Sequence, residues 1–166
     1  MSNTEIVYSG KVLMKYENKQ IEKRNSGSCN LFRLISCFLS KSSYSMNSLP
    51  AYFNLYTDSK DTLLSNSTTS SRTSVLRNFI DVSSEAKTDT KYTKFTTEYI
   101  GTLTSGNLVD TNVSYSHLTL CLISADKNEI LAAVDFPVES YNVVRNGGQV
   151  QLKWIMEFKN KSSSTT

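Results

Sequence analysis

The sequence has one histidine, two prolines, three cysteines and no long apolar run in its 166 residues. A serine–histidine or cysteine–histidine catalytic pair would have to use His117, and on an extended strand Cys121 would lie ~13 Å from it. The usual zinc spacings, Cys-x-x-Cys and His-x-x-x-His, do not occur. We therefore predict a protein that is not an enzyme and that needs neither a cofactor nor a metal.

Length and hydropathy indicate one domain without a membrane-spanning segment. We predict a single domain over residues 1–160 and a disordered tail over 161–166. The most apolar run, Leu31 to Leu39, contains Arg33 and is far shorter than a membrane span. No apolar leader follows Met1. These features predict a cytosolic protein whose cysteines stay reduced.

Alternating apolar and polar side chains predict that most of the chain is β-structure. The clearest example is the last strand, in which Val150, Leu152, Trp154 and Met156 share one parity. The predicted strands are residues 5–16, 20–24, 51–56, 95–103, 118–122, 130–136 and 150–158. We predict an α+β fold with an antiparallel β-sheet core and one or two short helices packed on it.

One helix and several connecting segments complete this prediction. Apolar residues recur at helical spacing over 31–38, behind a polar segment that offers an N-cap. Residues 57–74 are predicted to form an exposed polar loop, because 65–74 is almost entirely Ser, Thr and Asn. Residues 83–91 are predicted to form a second, charged loop. Gly147 and Gly148 predict a hairpin turn before the last strand.

Positive charge is concentrated near the start of the chain. The first 41 residues have a net charge of +4, whereas the remaining 125 sum to −1. Lys11 and Lys15 share the outward parity of the first strand, and Lys19 and Lys23 are expected to continue the stripe through the turn. The candidate site for a membrane or ribonucleoprotein surface is Lys11, Lys15, Lys19, Lys23, Arg24, Arg33 and Lys41. Simple solvation of a polar face is the alternative.

The helix offers a second candidate site. Its apolar residues predicted to take part in self-association are Leu31, Phe32 and, at its end, Leu39. Periodicity alone leaves two other interpretations open for these residues, the hydrophobic core and a membrane wedge.

Three segments together resemble a viral family. VYSGKVLMKYENKQIEKRNSG resembles the front of the rhabdovirus matrix protein core, and SMNSLPAYFNLYTDS is similar to the aromatic strand that follows its helix. SHLTLCLISADKNEILAAV is similar to the family's alternating strand with an acidic turn. A Lys-rich arm and a Pro-rich budding motif, typical of members from animals, are missing, so the likeness is to a short, plant-infecting type.

The resemblance implies a structural protein of the virion. It would link the nucleocapsid to the inner membrane leaflet beneath the viral envelope, in the host cytoplasm and in the virion. It would also self-associate as a homo-oligomer during assembly. The residues themselves predict RNA contact through the backbone only, because Tyr8 and Tyr16 fall on the buried parity of the first strand.

Two alternatives come from other classes. EYIGTLTSGN, LCLISAD and ILAAVDFPV are loosely similar to the 30K superfamily of plant-virus movement proteins, which implies binding of single-stranded nucleic acid. A module that binds only other proteins is the third interpretation. The ligand distinguishes them, because lipid, single-stranded RNA and protein are separable in one binding assay.

Overall fold

The computed structural model describes residues 4–39, 48–91 and 93–162, and its strands form two five-stranded antiparallel sheets. Sheet A contains, in spatial order, β2 (Lys19–Arg24), β1 (Thr4–Tyr16), β10 (Gln149–Ser162), β7 (Lys94–Thr104) and β6 (Ser83–Thr88). Sheet B contains β3 (Ser26–Gly27), β9 (Ile130–Phe136), β8 (Leu118–Ser124), β4 (Pro50–Tyr56) and β5 (Ile80–Asp81). The helices described are α1 (Cys29–Leu39), α2 (Lys60–Ser65) and α3 (Val138–Arg145).

The predicted antiparallel β core with short helices on it is confirmed, and its strands are divided between two sheets that pack face to face. The inward parity of β10 is buried as predicted, and Trp154 stacks on Phe53 of sheet B with ring centroids 6.0 Å apart. Gly101 allows this approach, because a Cβ at that position would lie 3.0 Å from the Phe53 ring. The main hydrophobic core therefore lies between the sheets.

At two of its four passages between the sheets, the chain crosses at a sheet edge through a single residue. Asn25 joins β2 to β3, and its carboxamide occupies the space beside Gly10, where a Cβ would lie 1.7 Å from its Oδ1. Val82 joins β5 to β6, and its N–H donates to the Ala51 carbonyl of β4 at 3.0 Å. These crossings connect the sheets without long linkers.

Residues 57–74, predicted as an exposed polar loop, are partly helical and cover sheet B. Helix α2 buries Leu63 against the outer face of that sheet, together with Cys121 and Ile123. Ser67 is also buried, and its backbone carbonyl is satisfied there by the Ile130 N–H, which donates to it at 2.8 Å. Hydrogen bonding to a strand edge thus lets a segment with few apolar side chains pack.

Two further predictions need correction. Residues 83–91, predicted as a loop, contain β6, because the backbone ladder to β7 does not require apolar side chains. Gly147 and Gly148, predicted as a hairpin turn, end α3 instead. Gly147 has φ +97°, and its N–H donates to the Val144 carbonyl at 3.0 Å.

The last strand extends into the segment predicted as a tail. Lys161 and Ser162 belong to β10 and pair with Glu5 and Thr4 of β1. Residues 163–166 lie outside the described part of the chain, as does Lys41 of the candidate basic site.

Candidate functional site on sheet A

The two sheets differ in what covers their outer faces: α2 and its flanking segment lie on sheet B, whereas the outer side chains of sheet A include many that are exposed. The outer basic face is defined here as the described charged and aliphatic side chains of sheet A that point away from sheet B. Its basic members are Lys11, Lys15, Arg24, Lys87, Lys94, Lys153 and Lys159. Its acidic members are Glu22, Glu85, Glu98 and Glu157, and its aliphatic members are Val7, Leu13, Ile100 and Ile155. The formal net charge of this set is +3.

The structure divides the predicted basic stripe between two faces. Lys11 and Lys15 do share the outer basic face, as predicted, and Arg24 joins them because it pairs with Lys11 across β1 and β2. Lys19 and Lys23 point the other way. They are the cross-strand partners of Tyr16 and Val12, whose side chains face sheet B. The turn has two residues, so odd positions of β1 pair with even positions of β2, and the stripe changes faces there.

Two members of the predicted set, Lys19 and Arg33, form ion pairs away from this face. Lys19 contacts Glu139 at the start of α3, with Nζ 2.6 Å from Oε1. The hydrogen bond between them raises the pKa of Lys19 and lowers the pKa of Glu139. Arg33 of α1 forms an ion pair with Glu129, just before β9. These two residues therefore do not extend the outer basic face.

On the outer basic face, lysines stand over partly buried carboxylates. Glu98 is 13% exposed, and its Oε2 lies 2.9 Å from Lys87 Nζ and 3.8 Å from Lys153 Nζ. The hydrogen bond from Lys87 lowers the pKa of Glu98. Glu157 is 22% exposed and lies 3.0 Å from Lys94, whereas the three lysines are 41–49% exposed. The positive charge is thus nearer to solvent than the negative charge that neutralises part of it.

A cavity of about 380 Å³ opens in this face. Its polar lining is Ser9, Lys11, Glu22, Arg24, Asn25 and Glu157. Two cationic side chains there are matched by two carboxylates, so the cavity does not select an anion by its own net charge. The face as a whole, rather than this cavity, is the candidate site.

The three residues predicted to mediate self-association differ in exposure. Leu31 is buried in the main core, so its predicted role in a subunit contact is wrong. Phe32 is 54% exposed and rests edge-on against Tyr8, and its role in a contact stays a prediction. Leu39 ends α1, and its side chain lies outside the described part of the structure.

Sequence reasoning missed a second exposed aromatic side chain, Phe95. Phe95 has the inward parity of β7 but is 50% exposed. It pairs with Phe158, which in turn pairs with Tyr8. The parity was visible in the sequence, but the exposure was not, because it depends on where sheet B ends.

The residues considered for catalysis are not arranged as a reactive pair. His117 Nε2 lies 3.3 Å from Thr119 Oγ1 and 4.0 Å from Asp135 Oδ1. Cys121 is fully buried, and burial raises the pKa of its thiol. Among residues 4–39, 48–91 and 93–162, no three His, Cys, Asp or Glu side chains converge as a metal site requires.

Comparison of the chain with protein-family models, with curated proteins and with solved structures finds no match. Within the described residues, no helix is long and apolar enough to cross a bilayer. A functional assignment must therefore come from the chain's own surface.

Proposed function

We propose that this protein is a viral structural matrix protein that attaches to the anionic inner leaflet through the outer basic face of sheet A. In this role it links the nucleocapsid to the envelope and self-associates during assembly. The observation that carries the proposal is the open sheet face on which exposed lysines stand over partly buried carboxylates. Each basic group near an anionic bilayer contributes ~1 kcal/mol, so a few together give salt-sensitive attachment.

The aliphatic members of the face support a lipid surface as the partner. Ile100 and Val7 are exposed between the lysines, where they can enter the headgroup region as the cations meet phosphates. The described outer side chains of sheet A include no aromatic residue. Sheets that bind single-stranded nucleic acid stack bases on aromatic rings. RNA contact is therefore expected only through the phosphate backbone.

Charge reversal on the face tests the proposal. Lys11→Glu combined with Lys15→Glu changes the net charge of the face from +3 to −1. The matched control is Lys23→Glu combined with Arg77→Glu, which changes the whole-chain charge equally but leaves the outer basic face intact. None of these four residues is buried.

The measurement is flotation with vesicles of phosphatidylserine and phosphatidylcholine, or of phosphatidylcholine alone, at low and high salt. We expect wild type to float on the anionic vesicles and to be released by salt. The Lys11 and Lys15 variant should bind at least about 30-fold more weakly, since two contributions of ~1 kcal/mol are lost. The Lys23 and Arg77 control should bind nearly as wild type does.

Other outcomes would refute parts of the proposal. Equal loss in both variants would show that whole-chain charge, and not the face, governs binding. Wild type that ignores anionic vesicles at low salt would refute lipid attachment. Single-stranded RNA that removes the protein from vesicles would favour the movement-protein alternative.

A further inference from the structure

Strand β6 leaves one edge of sheet A unpaired along most of its length. All six of its residues are exposed, and β7 is its only strand partner among the described residues. The edges of sheet B are protected by their shortness, because β3 and β5 have two residues each. The other long edge is β2, at the opposite side of sheet A.

Two backbone hydrogen bonds show which residues of β6 face the open edge. The Asp89 N–H donates to the Lys94 carbonyl at 3.2 Å, in line with the ladder between β6 and β7. The Val82 N–H points the other way and donates to the Ala51 carbonyl at 3.0 Å. Because hydrogen-bonding direction alternates along a strand, Ser84, Ala86 and Thr88 present their N–H and C=O groups to the open edge.

We propose that β6 pairs antiparallel with β6 of a second copy of this chain, with Ala86 opposite the partner's Ala86 on the two-fold axis. This register places Ser84 opposite the partner's Thr88, so all the residues that face the open edge gain hydrogen-bonding partners. It also places Glu85 opposite the partner's Lys87, and the symmetry repeats this pair. The edge is therefore complementary to itself in both hydrogen bonds and charge.

The two adjacent registers that keep the same hydrogen-bonding residues are less favourable. One is centred on residue 85 and sets Glu85 against the partner's Glu85. The other is centred on residue 87 and sets Lys87 against the partner's Lys87. Like charges directly opposite in a sheet are destabilising, so the charges select the register centred on Ala86.

The edge strand β2 does not share this property. Its Asn25 N–H donates to Gly10, so the even residues of β2 face its open edge. The registers centred on residues 21 and 22 place Lys19 against Lys23 and Glu22 against itself, respectively. The register centred on residue 23 sets Glu22 against Arg24 but places Lys23 against itself on the two-fold axis. Each of these β2 registers therefore contains a like-charge pair, whereas the β6 register centred on Ala86 contains none.

Pairing through β6 would join two copies of sheet A into one ten-stranded sheet. The two-fold axis is perpendicular to the sheet, so both outer basic faces point to the same side. A dimer would then meet a membrane with twice the number of lysines, and the second face would bind at high effective concentration. The inference deepens the self-association in the proposed function and rests on that function only for this consequence at a membrane.

Sedimentation of the full chain without lipid tests the pairing, so its result is separate from the flotation result. We expect wild type to dimerise reversibly over a concentration series that extends to about 1 mM. Glu85→Lys should weaken the dimer on the order of 10-fold, because it sets two lysine pairs opposite each other. The combined variant Glu85→Lys, Lys87→Glu should restore it, because the charges remain complementary after the exchange.

A backbone variant provides an independent measurement. Ala86→Pro removes an N–H from the open edge and none that β6 donates to β7, so the monomer should keep its circular dichroism spectrum while dimerisation is lost. Ala86→Ser keeps that N–H and should dimerise as wild type does. Wild type that stays monomeric throughout, or a Glu85→Lys variant that dimerises unchanged, would overturn the proposal.

Discussion

Sheets A and B contain the same number of strands but bury different numbers of faces. All seven residues of β8 are buried, and Asp135 is the one exposed residue of β9, because α2 covers the far side of sheet B. In sheet A, β10 alternates between buried and accessible residues. The comparison shows that alternation of apolar and polar residues along a strand indicates that only one of its faces is covered. A strand that alternates leaves a face available for binding.

The largest effect is expected where the two sheets meet. Trp154→Ala should lower the free energy of unfolding by about 3–5 kcal/mol, because it leaves a cavity beside Phe53 in the shared core. Trp154→Phe is the control, since it keeps a ring there and should lose clearly less. Urea unfolding followed by circular dichroism measures both, because Trp154 is the only tryptophan. Equal losses would show that ring packing does not hold the sheets together.

A pair of isoleucines compares the outer faces directly. Ile123 points outward from sheet B and is fully buried beneath the α2 side, whereas Ile155 points outward from sheet A and is partly exposed. Ile123→Ala should cost about 2–4 kcal/mol of unfolding free energy, and Ile155→Ala less than about 1 kcal/mol. Urea midpoints at a common slope give both values. Similar losses would mean that the outer face of sheet A is covered in solution, for instance by another copy.

Local periodicity predicted the strands that alternate and the helix that has an apolar stripe. It missed α2, whose apolar residues are Leu63 and Leu64, and it missed β6, whose single apolar residue is Ala86. Both elements are held by contacts with distant strands, and no local pattern reports such contacts. Helix α3 was missed because its eight residues make only about two turns, too short to show a clear helical period, and its Gly-Gly end resembles a turn.

The candidate site was only partly predictable for a similar reason. Lys11, Lys15 and Arg24 do lie together, but the faces of Lys19 and Lys23 depend on a turn whose length the sequence does not reveal. The far half of the outer basic face comes from β7, β6 and β10. These strands reach β1 only through β10, whose pairing with β1 joins residues far apart in the sequence, such as Lys11 and Ile155.

The smallest expected effect is a pH dependence of folding stability that arises from Glu98 on the outer basic face. The hydrogen bond from Lys87 lowers the pKa of Glu98, and the charge of Lys153 acts in the same direction. The folded-state pKa therefore lies below the unfolded one. The resulting stabilisation is fully present above the unfolded value and is lost as pH falls through the folded value.

Glu98→Gln should consequently narrow the difference between urea midpoints measured near neutral pH and at about pH 3. Glu85→Gln is the control, because that carboxylate is 67% exposed and lies 3.9 Å from Lys87, so its effect should be smaller.

Protonation of Glu98 also removes the negative charge that partly neutralises Lys87 and Lys153. Wild type should thus bind anionic vesicles more strongly in acid, and the Gln variant should show less of this gain. If Glu98→Gln bound anionic vesicles as much more strongly in acid as wild type does, the groups responsible for the pH dependence of binding would lie outside the outer basic face.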